Sequence, residues 1–341
     1  MTPFLSSPFF SCSLCNTILG GAIVSNINLI TTCTNGKHYG SRDILSLSQF
    51  SSGRIPSDVL MNSWCNALNE AISTSVTICT EDLYKGGHWA TAKAILDNYP
   101  IDLWVLSAGL GLLHHKDNVV PYKATFAVGY DESIPLYSQE YVGKSFHRTW
   151  WKEITNRSIF KSKHPTSIVE LMKKRKKDYY IICGSPDYIN AIELDIINGL
   201  EYLVDAKKQL IVITSKKINS RLNAYLFKTN QNIAQWLRCN MLMLNISVAK
   251  YIVKEFTSKQ LNDLNELSQK LIEEFKALPE REVKKGIRRS PEEVKSFILK
   301  LMEQNPGISA THALREFRDS GNSFEEKRFR AEFKVLREAK P

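Results

Sequence analysis

Runs of β-branched and apolar residues alternate along the chain with segments whose apolar positions recur every three or four residues. The first run, Ile23 to Thr32, ends in Cys33-Thr34-Asn35-Gly36-Lys37. A helical stretch follows around Asp58 to Ser73, with Val59, Trp64 and Leu68 sharing one side, and then a short strand from Val76 to Cys79. The pattern predicts a second helix from Ala90 to Asn98, ahead of the most regular strand, Asp102 to Ser107. Tyr179 to Cys183, Gln209 to Thr214 and Met241 to Ile246 complete the expected strands. Strands separated by helices predict an α/β fold, a mainly parallel sheet with helices on both faces. Ligands of such sheets bind beyond the carboxyl ends of the strands. The segments Cys33 to His38, Ser107 to Tyr122, Gly184 to Tyr188 and Thr214 to Lys217 occupy those positions and are rich in Gly, Ser, Asn and Asp. Turns favour the same residue types, so these segments locate a site without naming its chemistry.

Beyond Thr257 the period changes. Leu261, Leu264, Leu267, Leu271, Phe275 and Leu278 predict one long amphipathic helix to Leu278, followed by a charged hinge from Pro279 to Gly286. Ser290-Pro291-Glu292-Glu293 is a capping box with proline at the first helical position, and Val294, Phe297, Ile298, Leu301 and Met302 form the stripe behind it. Asn305-Pro306-Gly307 stops that helix. A second begins at Ser309, with Ala313, Leu314 and Phe317 inward, and Gly321 breaks it; a third, opened by a Ser323/Glu326 capping box, buries Phe329, Phe333 and Leu336. The expected organisation is therefore an extension over residues 1–22, an α/β domain over 23–256, a connecting helix and hinge over 257–285, and a small all-helical domain over 286–341.

Charge narrows the choice of partner. The 341 residues carry a formal net charge of +10, which favours a polyanion because Lys and Arg on phosphates release condensed counterions. In the last helix Lys327, Arg330, Lys334 and Arg337 form one basic stripe suited to a phosphate backbone. A solvated face balanced by Glu325, Glu326, Glu332 and Glu338 is the alternative. The run Lys173-Lys174-Arg175-Lys176-Lys177 reads as a solvated helix end or as part of the same surface. Seven scattered cysteines indicate reduced thiols of a cytoplasmic protein, and beside Cys12-x-x-Cys15 no second pair stands at zinc-ligand spacing, so no metal and no cofactor are expected. The first 32 residues contain no Lys or Arg, unlike a secretory signal, and polar residues interrupt their apolar run too often for a membrane span. No membrane and no obligate protein partner are inferred. Walker loops, dinucleotide turns and nucleophile elbows are absent, which ranks nucleotide hydrolysis and redox chemistry low.

Several stretches resemble bacterial proteins related to the peroxide-stress YaaA group. They are Leu29 to Lys37, Asp82-Leu83-Tyr84-Lys85-Gly86-Gly87-His88-Trp89, Trp104 to Leu113 continuing through Asp117 to Pro121-Tyr122, Met243-Leu244-Asn245, and the module from Ser309 to Leu336. Relatives of that group resemble the uracil-DNA glycosylase fold, among them a domain of archaeal tRNA-guanine transglycosylases and anti-phage DNA glycosylases. The resemblance implies a glycosylase-like fold and hydrolysis of the N-glycosidic bond of a modified base, with modified phage DNA as partner and base flipping as the means of access. The alternatives are a non-catalytic DNA-binding sensor of a nucleotide or modified base, and a tRNA-modifying protein.

Such chemistry needs a carboxylate beneath an oxocarbenium-like sugar and a donor for the departing base. Asp117 is the expected carboxylate: its loop resembles the place where glycosylases carry Asp-Pro-Tyr, although here the Asp and the Pro-Tyr are separated. His88 is expected to bind phosphate or polarise the leaving group, or simply to help start a helix. Asn35 and Asn245 are candidates for reading a base edge, or for turn and strand-end positions. Tyr122 or Phe126 would stack on a flipped base, unless they are core. Ser107, Gly109, Gly184 and Ser185 would line the pocket at the strand tips, with Lys85 and Arg148 as basic contacts. His114 and His115 are adjacent, so at most one is expected to face a pocket. The aromatic-rich segment Tyr130 to Trp151 reads either as a wedge for an opened strand or as an amphipathic helix on the sheet.

Overall fold

The computed structural model describes residues 26–38, 44–50, 53–75, 77–141, 143–157, 163–218, 220–278 and 286–339. The expected extension over residues 1–22, the start of the first strand, Val76 and most of the Pro279 to Gly286 hinge lie outside the described residues. The chain divides into two compact units, residues 1–278 and 279–341.

The first unit is α/β. Its sheet has six strands, β1 (Ile27–Thr32), β2 (Ile101–Ser107), β3 (Gly111–His114), β4 (Tyr179–Cys183), β5 (Leu210–Thr214) and β6 (Leu226–Lys228), in spatial order β6-β5-β4-β1-β2-β3. Every neighbouring pair is parallel except β2 and β3. Leu29 of β1 stands opposite Leu103 on one side and Ile181 on the other, and Ile181 opposite Ile211. Successive side chains point to opposite faces, and Leu29, Ile30, Thr31, Ile181, Ile182, Val212 and Ile213 are all buried, so helices cover both faces.

On one face α2 (Gly87–Asn98) packs beside α7 (Leu244–Ser258), with α8 (Leu264–Lys276) next to β5; the other layer holds α1 (Ser57–Thr74), α3 (Gly143–Asn156), α4 (Ile168–Lys174) and α5 (Pro186–Gly199), and α6 (Gln231–Trp236) precedes α7. Helix α1 buries Leu60, Met61, Trp64, Cys65 and Leu68, whereas Val59, expected on the inner side, is exposed. Helix α3 buries Phe146, Trp150, Trp151 and Ile154, so the helical aromatics of that segment are core, while Tyr137 and Tyr141 are half-buried and Tyr130 is exposed.

Two expectations fail because a short apolar pattern fits more than one structure. Met241 to Ile246 is not a strand: Met241 and Leu242 are exposed, and Ile246, Val248, Ala249, Ile252, Val253 and Phe256 form the buried stripe of α7. The long connecting helix is two helices. The chain breaks after Ser258, where Gln260 has φ +52°, and the Asp263 carboxylate caps α8 by accepting from the backbone N–H groups of Asn265 and Glu266. Helix α8 belongs to the α/β unit, its Phe275 ring edge-on to Phe227 at 6.0 Å and Trp236 at 5.0 Å. Val76 to Cys79 contributes Ile78–Cys79, which pairs with Asn118–Val119 outside the main sheet.

The second unit holds α9 (Pro291–Gln304), α10 (Ala310–Asp319) and α11 (Glu326–Glu338), together with a parallel pair of two-residue strands, Ile287–Arg288 and Asn322–Ser323. The Ser290/Glu293 capping box closes as its sequence predicts, and Val294, Ile298, Met302, Ile308, Ala313, Leu314, Phe317, Phe329 and Phe333 form the core. Ser323 lies in a strand and does not cap α11, whose N-cap is Glu325.

Candidate functional site

The hairpin between β2 and β3 decides where the sequence-predicted residues fall. Gly109 occupies a gap in which a Cβ would lie 2.9 Å from Tyr122 and 3.0 Å from Ala124 and Trp64, and Gly111 has φ +81°. The buried turn carbonyls are satisfied by indoles: Trp64 Nε1 donates to Gly109 O at 2.7 Å and Trp150 Nε1 to Ala108 O at 2.8 Å. The chain therefore reverses at Ser107, and β3 runs back until His114 stands opposite Trp104. Asp117 consequently lies at the amino end of the parallel strands, while Asn35 follows β1 at the carboxyl end. The two do not share a pocket, and Asp117 is not the carboxylate of a carboxyl-end site. It is buried, accepting from His114 N at 2.8 Å and pairing with His164 Nδ1 at 2.7 Å.

The carboxyl end does gather Asn35, Ser107, Gly109, Tyr122, Phe126, Gly184, Ser185, Asn245 and His88. Several of these are structural. Tyr122 is fully buried, its hydroxyl bonded to Ser107 Oγ at 2.6 Å and Tyr84 Oη at 2.8 Å; Phe126 is fully buried between Tyr188 and His147 at centroid distances of 5.3 and 4.9 Å. Neither presents a face for a flipped base. At Gly184 a Cβ would meet Thr32 Cγ2 at 2.9 Å, so glycine permits the close approach of the chain. Asn245, in the first turn of α7, donates to Gly184 O at 2.8 Å and accepts from Thr229 at 2.8 Å, which holds the tips of β4 and β6 together. Ser185 is the exposed N-cap of α5, and Asn35 is exposed in the loop after β1.

His88 sits in the first turn of α2, its Nε2 2.9 Å from Thr31 Oγ1. Burial pushes its pKa down to about 4, so the imidazole is neutral near pH 7 and is not a phosphate-binding cation. Lys85 is exposed and its backbone pairs with Gly36. Lys37, adjacent in the loop, is buried with Nζ 4.7 Å from the Tyr122 ring centroid and 5.7 Å from that of Tyr84; burial lowers its pKa. The hydroxyl of Tyr188 meets Cys33 Sγ at 3.1 Å in the same buried layer.

Next to this layer, at the tips of β4 and β5, a cavity of about 150 Å³ is lined by Arg148, Pro186, Asp187, Asn190, Glu193, Thr214, Lys216, Lys217 and Ile218. The N-terminus of the 14-residue helix α5 opens here, and no side chain caps its first turn. Thr214 is 1% exposed and its Oγ1 has no hydrogen-bond partner among the described residues. Lys216 and Lys217 are exposed, and neither forms an ion pair with a described residue. Arg148 pairs with Glu193 and reaches Asn190 O at 3.4 Å. One residue before it, His147 is buried with both ring nitrogens unpartnered among the described residues; burial lowers its pKa against the opposing pull of Asp187. Thr214 and Asp187 fall in strand-end segments that the sequence marks as a ligand-binding region, but nothing in a strand-end Thr or a lone His such as His147 signals that its polar atoms stay unpaired.

In the C-terminal unit three of the four stripe residues have partners within their own unit. Arg337 donates to Pro306 O at 2.6 Å and to Ile308 O, and Arg330 pairs with Glu326 at 2.9 Å and reaches Thr311. Lys334 lies 3.8 Å from Glu338, and Lys327 is exposed. The face is thus partly neutralised.

The chain matches no protein-family model, no curated protein and no solved structure. No helix among the described residues is long and apolar enough to cross a membrane.

Proposed function

We propose that the protein binds nucleic acid at the carboxyl end of its sheet, with a phosphate seated in the cavity around Thr214. The observation that carries this reading is Thr214, which lines a cavity into which the uncapped N-terminus of α5 opens and whose buried hydroxyl has no partner among the described residues. Orphan N–H groups and the helix dipole favour an anion there, and Lys216 and Lys217 add charge at its rim. Pockets for whole small molecules run from about 300 Å³ upward. At about 150 Å³ this one suits a single phosphate or one flipped base.

Hydrolysis of the N-glycosidic bond of a modified base in DNA, in the setting of anti-phage defence, is the reaction proposed for this end of the molecule. Asp187 takes the role expected of Asp117, because it lines the same cavity. Water adds to the sugar carbon as the bond to the base breaks; the carboxylate stabilises the oxocarbenium-like sugar and orients the water, and the base leaves with a proton. The position of Asp117 at the far end favours a second reading, binding of DNA or a nucleotide without chemistry. Incubation with DNA carrying modified bases, followed by alkali, separates the two. Nicking that survives Asp117→Asn but not Asp187→Asn is the expected result. Binding without nicking removes the hydrolytic step, and retention of tRNA in place of DNA moves the ligand to RNA.

A further inference from the structure

At the amino end of β2, where the antiparallel β3 ends, three side chains converge away from the proposed phosphate cavity. His114 Nε2 lies 2.5 Å from Asp102 Oδ1 and His115 Nε2 lies 3.9 Å from the same oxygen. All three donor atoms fall within 4.8 Å of one another. Two adjacent histidines share this focus because His115 follows the last residue of β3, where strand alternation no longer turns its ring to the opposite face; the two ring centroids are 4.4 Å apart.

We propose that Asp102, His114 and His115 form a site for a divalent transition metal ion. The groups behind Asp102 and His115 already hold these two donors in a ligating pose. Glu81 Oε2 lies 2.9 Å from His115 Nδ1, which fixes the proton on Nδ1 and turns the Nε2 lone pair toward Asp102, as carboxylates do behind metal-bound histidines. Arg175 Nη1 donates to Asp102 Oδ2 at 2.5 Å and leaves Oδ1 as a single-oxygen ligand.

In the metal-free protein the proton on His114 Nε2 bridges to Asp102, and His114 Nδ1 accepts from Lys116 N at a long 3.3 Å. Binding at Nε2 moves the His114 proton to Nδ1, which breaks the hydrogen bond from Lys116 N. Two imidazoles and one carboxylate suit Zn²⁺, Co²⁺ or Ni²⁺ above Ca²⁺ or Mg²⁺, and three protein ligands leave a position for water. The side chains of His114 and His115 are 5% and 7% exposed and that of Asp102 is 21% exposed, so the ion enters from the Asp102 side.

The test is titration of the full chain with CoCl₂ or ZnCl₂ alone, followed calorimetrically and, for cobalt, by its visible absorption. One ion per chain is expected, with an intense tetrahedral or five-coordinate cobalt spectrum. His114→Gln and His115→Gln should each abolish it. Glu81→Gln, which touches no metal, should weaken binding roughly ten- to a hundredfold. His312→Gln in the C-terminal unit, where His312 pairs with Glu316, should leave binding unchanged and serves as the control. A chain that binds no cobalt or zinc, or binds it equally well in both His114→Gln and His115→Gln, overturns the proposal. Should those two variants fail to fold, the Glu81→Gln affinity decides: parity with the parent chain overturns it.

Discussion

The two ends of one sheet treat their polar groups in opposite ways. At the amino end His114, His115 and His164 each meet a carboxylate, that of Asp102, Glu81 or Asp117, and Arg175 closes the network on Asp102. At the carboxyl end Thr214 and His147 are buried with no partner among the described residues, and the first turn of α5 is uncapped. Leaving a buried polar group unpaired costs about 1–3 kcal/mol, a cost that a ligand supplying the missing partner removes. The strands are alike in composition, so the difference lies in what the connections bring. The amino end is built of paired charges around carboxylates and suits a cation, whereas the carboxyl end presents a helix N-terminus and lysines and suits an anion.

The sharpest way to break this contrast is to remove a partner from each end. Asp102→Ala strands Arg175 and His114 in a partly buried network and should cost about 3 kcal/mol in urea unfolding; a loss below about 1 kcal/mol would mean that the amino end is held by packing alone. Thr214→Val removes a hydroxyl that has no partner among the described residues, so stability should hold or rise by up to about 1 kcal/mol. The same change should weaken binding of phosphorylated ligand or DNA about tenfold, roughly 1.4 kcal/mol. A destabilised Thr214→Val chain with unaltered binding would contradict the assignment of the cavity.

Acid should dismantle the ends in separate windows. His88 has a folded pKa of about 4 against an ordinary 6.5. The unfolded chain therefore binds the extra proton, and the stability His88 confers is present above pH 6.5 and lost as pH falls to about 4. Asp102, at about 2 against 3.8, confers stability that is present above pH 3.8 and lost as pH falls through about 2. Unfolding free energy followed against pH should show the upper decline at no more than about 1 kcal/mol per pH unit, and His88→Gln should flatten it while leaving the lower one. The smallest effect is expected at the rim. Lys216→Ala with Lys217→Ala should reduce the slope of log affinity against log salt by roughly 0.9 for each phosphate no longer neutralised, measured on DNA at several salt concentrations; an unchanged slope would place the phosphates elsewhere.

Much of the fold was legible in residue order. Strands β1, β2, β4 and β5 announce themselves as β-branched runs, and Ser290 to Glu293 and Ser309 mark helix starts by their own side chains. The failures have physical causes. Met241 to Ile246 is apolar enough for a strand, and its helical period emerges only when Val248, Ile252 and Phe256 are counted with it. Lys37 stands in plain view at the end of the Cys33 to Lys37 segment, but its burial against two tyrosine rings follows from Tyr84 and Tyr122 arriving from elsewhere in the chain.

The sequence by itself determined four strands of the main sheet, the capped helices of the C-terminal unit and that the chain is basic, because these depend on periodicity, capping and charge within a few residues. Only the tertiary structure decided that Asp117 stands at the end opposite Asn35 and that Asp102, His114 and His115 meet at one point. Both follow from the reversal at Gly109 to Gly111, a turn fixed by the packing of Trp64, Tyr122, Ala124 and Trp150 around it. Packing between residues far apart in the chain sets strand direction, and strand direction sets the end of the sheet at which a side chain emerges.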